Sequence, residues 1–264
     1  MILPPPSHQP IPAEGPAVIP AATVVIFRRS ALGGPPELLM VQRAREMRFA
    51  GGAAVFPGGR VDASDRELAR VLSPGDPEEI AASRIAGIRE TLEETGLVIA
   101  TRSPISAEEA AAGRRMLLET GSLEPVLQRF GWELAPETLT LFAHWCPLWH
   151  KAFDTRFFVA DLGTGAVEVA VDATENTHLF WASAADALAM ADRGEISVIF
   201  PTRRNLERLA QFPTFAETLA HIAAHPVRRI SPVTEARADG DWLIIPDGLG
   251  YPVLGERVET AMRG

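Results

Sequence analysis

The chain has 264 residues, of which 47% are hydrophobic, and it carries a formal net charge of -9. The negative charge argues against a general nucleic-acid-binding surface, which would be basic. Cys146 is the single cysteine, so an intrachain disulfide is excluded. No apolar run reaches the roughly 20 residues that a membrane helix needs. We therefore expect a cytoplasmic protein that binds neither nucleic acid nor a membrane.

The first 20 residues contain seven prolines, which disfavour both helices and sheet ladders. We expect residues 1–20 to form an extended arm, 21–235 to form one domain, and 236–264 to be a C-terminal tail packed on that domain. Order is predicted to begin with apolar, β-rich strands, the usual pattern of buried strands. These strands are expected at residues 22–27, 37–42 and 53–56.

A long helix is predicted over residues 77–95. Asp76 can cap its first turn with Glu79 as the capping-box partner, and Pro77 suits the first helical position. Gly96 can adopt the left-handed conformation that ends many helices.

The remaining elements indicate a mixed architecture. Residues 106–130 are predicted to form two helices, which we interpret as an insertion near 104–132. Further strands are predicted at 138–144, 156–160 and near 242–245, and further helices at 184–193, 203–210 and 215–224. Strands and helices do not alternate strictly, so we expect an α/β fold with a mixed β-sheet sandwiched between helices.

The long helix carries the most informative charges. Glu90 and Glu94 are spaced i,i+4, where like charges repel, and a hard divalent cation between them would remove that conflict. Arg89 and Glu93 have the same spacing and can form an ion pair. The alternative is a solvated acidic face, but the residues above the carboxylates are small. These small residues, which favour close approach by another chain segment or a ligand, are Ser83, Ala86 and Gly87.

Residues 89–97 read RETLEETGL and are similar to the second half of the Nudix box, and residues 56–59, FPGG, resemble its opening. The resemblance implies the Nudix fold and a hydrolase that cuts a phosphoanhydride bond in a nucleotide-containing substrate. In such enzymes water attacks phosphorus while Mg²⁺ or Mn²⁺ ions supply charge to the phosphate oxygens. A carboxylate of the cluster would accept the proton, and the sequence leaves open which one.

The resemblance assigns roles to individual residues. Glu90 and Glu94 would bind the metal ions, together with the backbone carbonyl of Gly59. Glu93 and Arg89 would complete the catalytic set as an ion pair.

A further metal-binding and catalytic carboxylate is expected from a loop before a tryptophan-containing strand. Glu175, six residues before Trp181, fits that place. Glu168 is the competing candidate, and a polar turn residue is the alternative interpretation of Glu175.

The chain departs from the usual box in two ways. The interval from Gly59 to Arg89 is about 16 residues longer than usual, which predicts an insertion within 62–76. A glutamate that usually stands eight residues before the arginine is replaced by Ala81. Asp62 or Asp65 could take over its part in supporting the loop.

The stretch before the box resembles part of a motif of coenzyme A diphosphatases, which ends in Rx3Gx3FPGG. Arg48, Gly52 and Phe56 keep that spacing, whereas the motif's two threonines are absent. The resemblance implies a substrate-binding role for these three residues and for Gly58. An arginine on such a loop suits a phosphate group; the alternative is that Arg48 is exposed on a turn.

The phrases at 49–59 and 153–158, FDTRFF, also resemble one branch of the family, that of the peroxisomal coenzyme A diphosphatase of mammals and its bacterial relatives. This branch implies hydrolysis of coenzyme A or acyl-coenzyme A to 3′,5′-ADP and (acyl-)phosphopantetheine. The alternatives are a pyrophosphatase for ADP-ribose or NADH and a non-catalytic nucleotide-binding sensor. The sequence leaves open whether the protein forms a homodimer.

Two other groups of residues carry weaker signals. Cys146 lies among aromatic residues without a second cysteine for a metal site or an acidic partner at recognisable spacing, so strand-end packing is the preferred interpretation. Two arginine pairs, Arg203-Arg204 and Arg228-Arg229, are predicted to lie on helix surfaces, where either could meet a substrate 3′-phosphate.

Overall fold

The computed structural model describes residues 18–31, 33–43, 52–147, 152–162 and 176–261. Arg48, Glu168 and Glu175 lie outside these ranges. Within them, eight strands form one mixed sheet. Its strands are β1 (Ile19–Arg28), β2 (Glu37–Arg43), β3 (Ala54–Val55), β4 (Gly58–Arg60), β5 (Thr140–Trp145), β6 (Phe153–Asp161), β7 (Asn176–Ser183) and β8 (Arg229–Ile230).

The order of strands along the main path is β3-β2-β1-β6-β5-β8, with β4 also paired to β1 and β7 to β2. The central strand β1 runs parallel to β6, from Ile19 opposite Phe153 to Phe27 opposite Asp161. It runs antiparallel to β2 and β4. A strand with neighbours on both sides and layers on both faces is apolar along its length, which explains the run at 22–27.

Helices cover both faces of this sheet. In chain order they are α1 (Ala63–Leu72), α2 (Glu78–Thr95), α3 (Ala107–Thr120), α4 (Leu123–Phe130), α5 (Ala184–Asp192), α6 (Phe200–Leu209), α7 (Phe215–Ala224) and α8 (Val258–Ala261). Alternate residues of β1 enter two separate cores: Val24 and Ile26 pack with α1 to α4, whereas Val25 and Phe27 pack with α5 to α7. The predicted α/β fold, with a mixed sheet between helices and a helical insertion formed by α3 and α4, is confirmed.

Helix α2 ends as predicted but starts differently. Gly96 has a left-handed φ of 76° and its N–H donates to the Leu92 carbonyl. The predicted cap at Asp76 is wrong: Pro77 occupies the N-cap position, and the Asp76 carboxylate forms an ion pair with Arg84 instead. The guanidinium, two turns into the helix, draws this carboxylate away from the backbone N–H groups that it was expected to cap.

The small residues of α2 make room for the sheet. A Cβ built on Gly87 would lie 2.8 Å from Val24 Cγ2 of β1. Of the two alternatives for close approach, a chain segment or a ligand, the structure therefore shows a chain segment.

The insertion within 62–76 is helix α1, which packs along α2. The backbone N–H of Asp62, just before α1, donates to Asp65 Oδ2 at 2.9 Å. Exposed ion pairs join the two helices, with Arg66 contacting Glu79 and Arg70 contacting Glu78. The inserted residues thus lie directly against the helix that carries the clustered carboxylates.

The C-terminal region contains more sheet than predicted. Three antiparallel strands, β9 (Val233–Arg237), β10 (Gly240–Ile244) and β11 (Gly255–Arg257), form a second sheet, where the sequence indicated one strand. β9 is exposed along its whole length, so it lacks the apolar alternation that identifies a half-buried strand.

The arginine pairs lie on helix surfaces only in part: Arg203 is partly exposed on α6 and pairs with Asp192. Arg204 is buried on α6, where it donates to the Gly255 carbonyl and contacts Glu207 and Glu256. It therefore attaches the second sheet to the domain. Arg229 lies on strand β8. No helix in the described part of the chain is long and apolar enough to cross a membrane.

Candidate active site

The carboxylates of α2 face the short strand β4. β4 pairs with β1, placing Gly58 opposite Thr23 and Gly59 opposite Ala22. A Cβ built on Gly59 would lie 2.3 Å from Glu90 Oε1. A side chain at this position would therefore displace the Glu90 carboxylate.

Glu94 connects the helix to the same strand. Its side chain is buried, and its Oε2 accepts a hydrogen bond of 3.0 Å from the Gly58 backbone N–H. Hydrogen bonds to a carboxylate are among the stronger ones in proteins. The hydrogen bond between Glu94 and Gly58 thus links the FPGG and RETLEETGL segments, which are far apart in sequence, and the Glu90 carboxylate lies beside Gly59.

Arg89 lies at the centre of the carboxylate cluster and is only 4% exposed. Its Nη1 is 3.0 Å from Glu90 Oε1 and 3.3 Å from Glu93 Oε2, so the predicted contact between Arg89 and Glu93 is present. Its Nη2 donates to the Arg60 carbonyl at 2.9 Å. Burial by itself would lower the pKa of Arg89, but the hydrogen bond with Asp65 and the negative charge of Glu90 raise it above the usual value.

Asp65 supplies the main partner of Arg89. The Asp65 carboxylate is 1% exposed and accepts two hydrogen bonds, from Nε at 2.9 Å and Nη2 at 3.0 Å. Asp62, the other candidate, is 3.6 Å from Nη2 with a side chain that is 56% exposed. The inserted helix α1 therefore supplies a buried carboxylate that pairs with Arg89. In this chain α2 has Ala81 at the position where the usual box has a glutamate.

The environment of Glu90 disfavours the charged form of its side chain. Burial raises its pKa to about 8, Arg89 opposes the rise, and the charges of Glu94 and Glu93 add to it. Among the residues that the structure describes, no three Asp, Glu, His or Cys side chains are grouped as a ready metal site. Glu90 and Glu94 with the neighbouring backbone of Gly59 make an incomplete set of oxygen donors.

The other predicted site residues are distributed differently. Gly58 lies at the cluster through its bond to Glu94. Phe56 is buried in the core on the face of the sheet opposite α2, so its side chain packs rather than lining the cluster. Gly52 has a left-handed φ of 79°, and its N–H donates to the Arg43 carbonyl.

A row of aligned residues with three basic side chains, those of Arg156, His144 and Arg229, was not foreseen. Strand pairing aligns Gly59, Ala22, Arg156, His144 and Arg229 across five strands, and directly paired residues share one face of a sheet. The row lies on the α2 face, where Arg156 is buried and its Nη1 is 4.0 Å from Glu79. It was missed because its members come from separate strands.

Cys146 also has partners that spacing did not reveal. Arg229 Nη2 lies 2.6 Å from its Sγ. The neighbouring His144 Nε2 is 2.5 Å from Asp154 Oδ1 on the adjacent strand. Burial raises the pKa of the Cys146 thiol, which keeps it protonated and fits a packing role.

Comparisons with known proteins agree with the fold. No protein-family model matches the chain. The acyl-coenzyme A diphosphatase NUDT19 of Gallus gallus is 26% identical over 276 residues, covering 82% of this chain and 73% of that protein. The crystal structure of a Nudix hydrolase from Alicyclobacillus acidocaldarius superposes with a TM-score of 0.65 and 28% identity, covering 78% of this chain and 96% of that one.

Proposed function

We propose that this chain is a Nudix hydrolase and that it hydrolyses coenzyme A or an acyl-coenzyme A at the diphosphate. The products would be 3′,5′-ADP and (acyl-)phosphopantetheine. The proposed hydrolytic activity rests on one observation, the position of Glu90 and Glu94 against Gly58 and Gly59. The substrate rests on the likeness to the chicken acyl-coenzyme A diphosphatase and on the FxGGAxVFPGG phrase at 49–59.

Mg²⁺ or Mn²⁺ is the proposed cofactor. Glu90, Glu94 and the Gly59 carbonyl offer the oxygen ligands that hard divalent ions prefer, and Glu175 is proposed as the further carboxylate. Burial and the charges of Glu94 and Glu93 raise the pKa of Glu90 even though Arg89 opposes the rise, so a cation bound beside these carboxylates would stabilise their charged forms. When bound, such an ion supplies positive charge to the diphosphate and activates water.

The protein's own contribution is to hold the carboxylates in position. Arg89 contacts Glu90 and Glu93 while Asp65 and the Arg60 carbonyl fix its guanidinium. The Gly58 N–H holds Glu94. A group fixed in this way loses little freedom when the substrate binds, which favours catalysis by orientation. We propose that one carboxylate of this cluster accepts the proton of the attacking water.

Arg48 is proposed to bind a phosphate oxygen of the substrate. A guanidinium forms charge-assisted hydrogen bonds with phosphate, and Arg48 precedes Gly59 by eleven residues. Its substitution by alanine should lower kcat/KM about tenfold to hundredfold, the loss of one such bond.

The test is a product assay with coenzyme A, acetyl-coenzyme A, ADP-ribose and NADH at equal concentration, each with Mg²⁺ and with Mn²⁺. Chromatography should detect 3′,5′-ADP as the main product, and Glu94→Gln should abolish it. Glu119→Gln, at an exposed position of α3, is the matched control and should keep full activity. Faster cleavage of ADP-ribose or NADH would contradict the substrate, and no cleavage of any compound would favour the sensor.

A further inference from the structure

The last turn of α2 is unfavourable by its own sequence. Residues 92–95 include Glu93 and Glu94 and no basic residue. The carbonyl end of a helix is the negative end of its dipole, so carboxylates there destabilise the turn, whereas a cation stabilises it. Two of the carboxylates on which the proposed function rests nevertheless lie in this turn. A cation from another part of the chain would offset the disadvantage.

Arg114 of the inserted helix α3 supplies such a cation. The last four carbonyls of an α-helix have no partner within the helix. In α2 the Leu92 carbonyl accepts a hydrogen bond from the Gly96 N–H. Arg114 Nε donates to the Glu93 carbonyl at 2.8 Å, and its Nη2 donates to the Glu94 carbonyl at 3.4 Å. One guanidinium thus contacts the backbone of both glutamates.

Helix α3 is firmly packed in the position that this contact requires. Its buried residues are Ala110, Gly113 and Leu117, whose spacing places them on one stripe facing the core. Arg114 lies along this stripe, because it is four residues after Ala110 and three before Leu117. A Cβ built on Gly113 would lie 2.3 Å from Cη2 of the buried Trp132, so α3 can approach this ring only without a side chain there. Leu117 and Trp132 belong to the same core as α2.

We propose that Arg114 is a positioning residue of the hydrolase site. It holds the last turn of α2 and thereby fixes the side chains of Glu93 and Glu94. Helix ends fray, and a frayed turn would release Glu94 from the Gly58 N–H. The inference rests on the proposed function, to which it adds a role for the helical insertion. Arg114 acts through the backbone of α2, not through the substrate.

The first test measures the turn itself, by amide hydrogen exchange of the metal-free protein. Arg114→Met keeps the aliphatic stem but removes the donors. Exchange at residues 94–97 should become about tenfold faster, equivalent to the loss of one hydrogen bond, while the amides of strand β1 keep the parent rates. Unchanged exchange at 94–97, or an equal acceleration throughout the chain, would overturn the proposal.

The second test measures metal binding and catalysis. Mn²⁺ affinity, measured by calorimetry with the metal alone, should fall about tenfold in Arg114→Met, because groups that orient metal ligands typically contribute about 10- to 100-fold. The kcat for coenzyme A should fall by a similar factor with little change in KM. A raised KM with unchanged kcat and unchanged Mn²⁺ affinity would make Arg114 a substrate contact, and the positioning role would be wrong.

Two further variants complete the design. Arg114→Lys should recover part of the Mn²⁺ affinity, since an ammonium group keeps the charge but lacks the planar fork that reaches two carbonyls. Arg115→Met, at the next and exposed position of α3, is the matched control and should keep the parent exchange, Mn²⁺ affinity and kcat. Equal effects of Arg114→Met and Arg115→Met would contradict the proposal.

Failure of the proposed function would be recognised separately. If the parent protein neither binds Mn²⁺ nor cleaves coenzyme A, the hydrolase assignment is wrong. The exchange rates at residues 94–97 still decide in that case whether Arg114 holds the last turn of α2. If the parent is active and Arg114→Met retains its kcat and Mn²⁺ affinity, the positioning role alone is wrong.

Discussion

Asp65 and Arg89 form a buried, two-bonded ion pair between the inserted helix α1 and the helix that carries the carboxylate cluster. The two residues are 24 positions apart. The same guanidinium also contacts Glu90 and Glu93. Helix α1 therefore contacts the proposed catalytic groups through Arg89. This pair explains how the domain accommodates both the lengthened box and the absence of the usual glutamate at Ala81.

Asp65→Ala is expected to destabilise the protein and to lower its activity. Removing one partner of a buried ion pair typically costs about 3–5 kcal/mol, because the other charge stays buried, and Arg89 would then hold the carboxylates less firmly. Urea unfolding and kcat measure the two effects. Asp62→Asn, at the exposed position 3.6 Å from Arg89, is the control and should change stability by less than about 1 kcal/mol, because asparagine can still cap α1. Equal effects of the two substitutions would contradict the assignment.

Gly59→Ala should separate activity from stability. The new methyl group would meet the Glu90 carboxylate, which is the far end of a flexible side chain and can move aside. We expect a small change in Tm but a large fall in kcat and in Mn²⁺ affinity measured by calorimetry. Gly75→Ala, where a Cβ meets no atom within 4 Å, should be neutral in both. Retention of parent activity in Gly59→Ala would show that the position of Glu90 is not critical.

Mg²⁺ or Mn²⁺ should raise Tm, because a cation bound only by the folded protein relieves the repulsion among Glu90, Glu93 and Glu94. At a hundredfold excess over Kd the stabilisation is about 2.7 kcal/mol. Glu90→Gln should stabilise the metal-free protein, since it removes a buried charge, and should abolish most of the metal-induced rise. An equal metal-induced rise of Tm in Glu90→Gln and in the parent would contradict this prediction.

The lowered pKa of His221 predicts that the folded protein loses stability in mild acid. Its pKa falls from an ordinary value of 6.5 to about 4 in the folded protein, so the unfolded chain takes up the proton first as pH decreases. Stability from the neutral ring is therefore complete above about pH 6.5 and declines towards about pH 4. Urea unfolding at several pH values should show that His221→Gln has a flatter pH dependence than the parent. His178→Gln, exposed on β7, should follow the parent curve.

Features that depend on near neighbours in the chain followed from the sequence. The apolar run of β1, the stop of α2 at Gly96, and the i,i+4 contact of Arg89 with Glu93 all arise within a few residues, where backbone geometry alone determines which side chains meet. The similarity to the Nudix box also predicted that Glu90 and Glu94 act together with Gly58 and Gly59. Their role in metal binding stays a proposal.

Contacts between distant segments were decided only by the tertiary structure. Nothing in the spacing distinguished Asp65 from Asp62 as the partner of Arg89, placed Phe56 in the core, or buried Arg204 under the second sheet. The Asp76 cap was locally favourable, yet an ion pair with Arg84 displaced it. The physical reason is that burial and charge pairing depend on which elements pack together, and periodicity within one element does not contain that information.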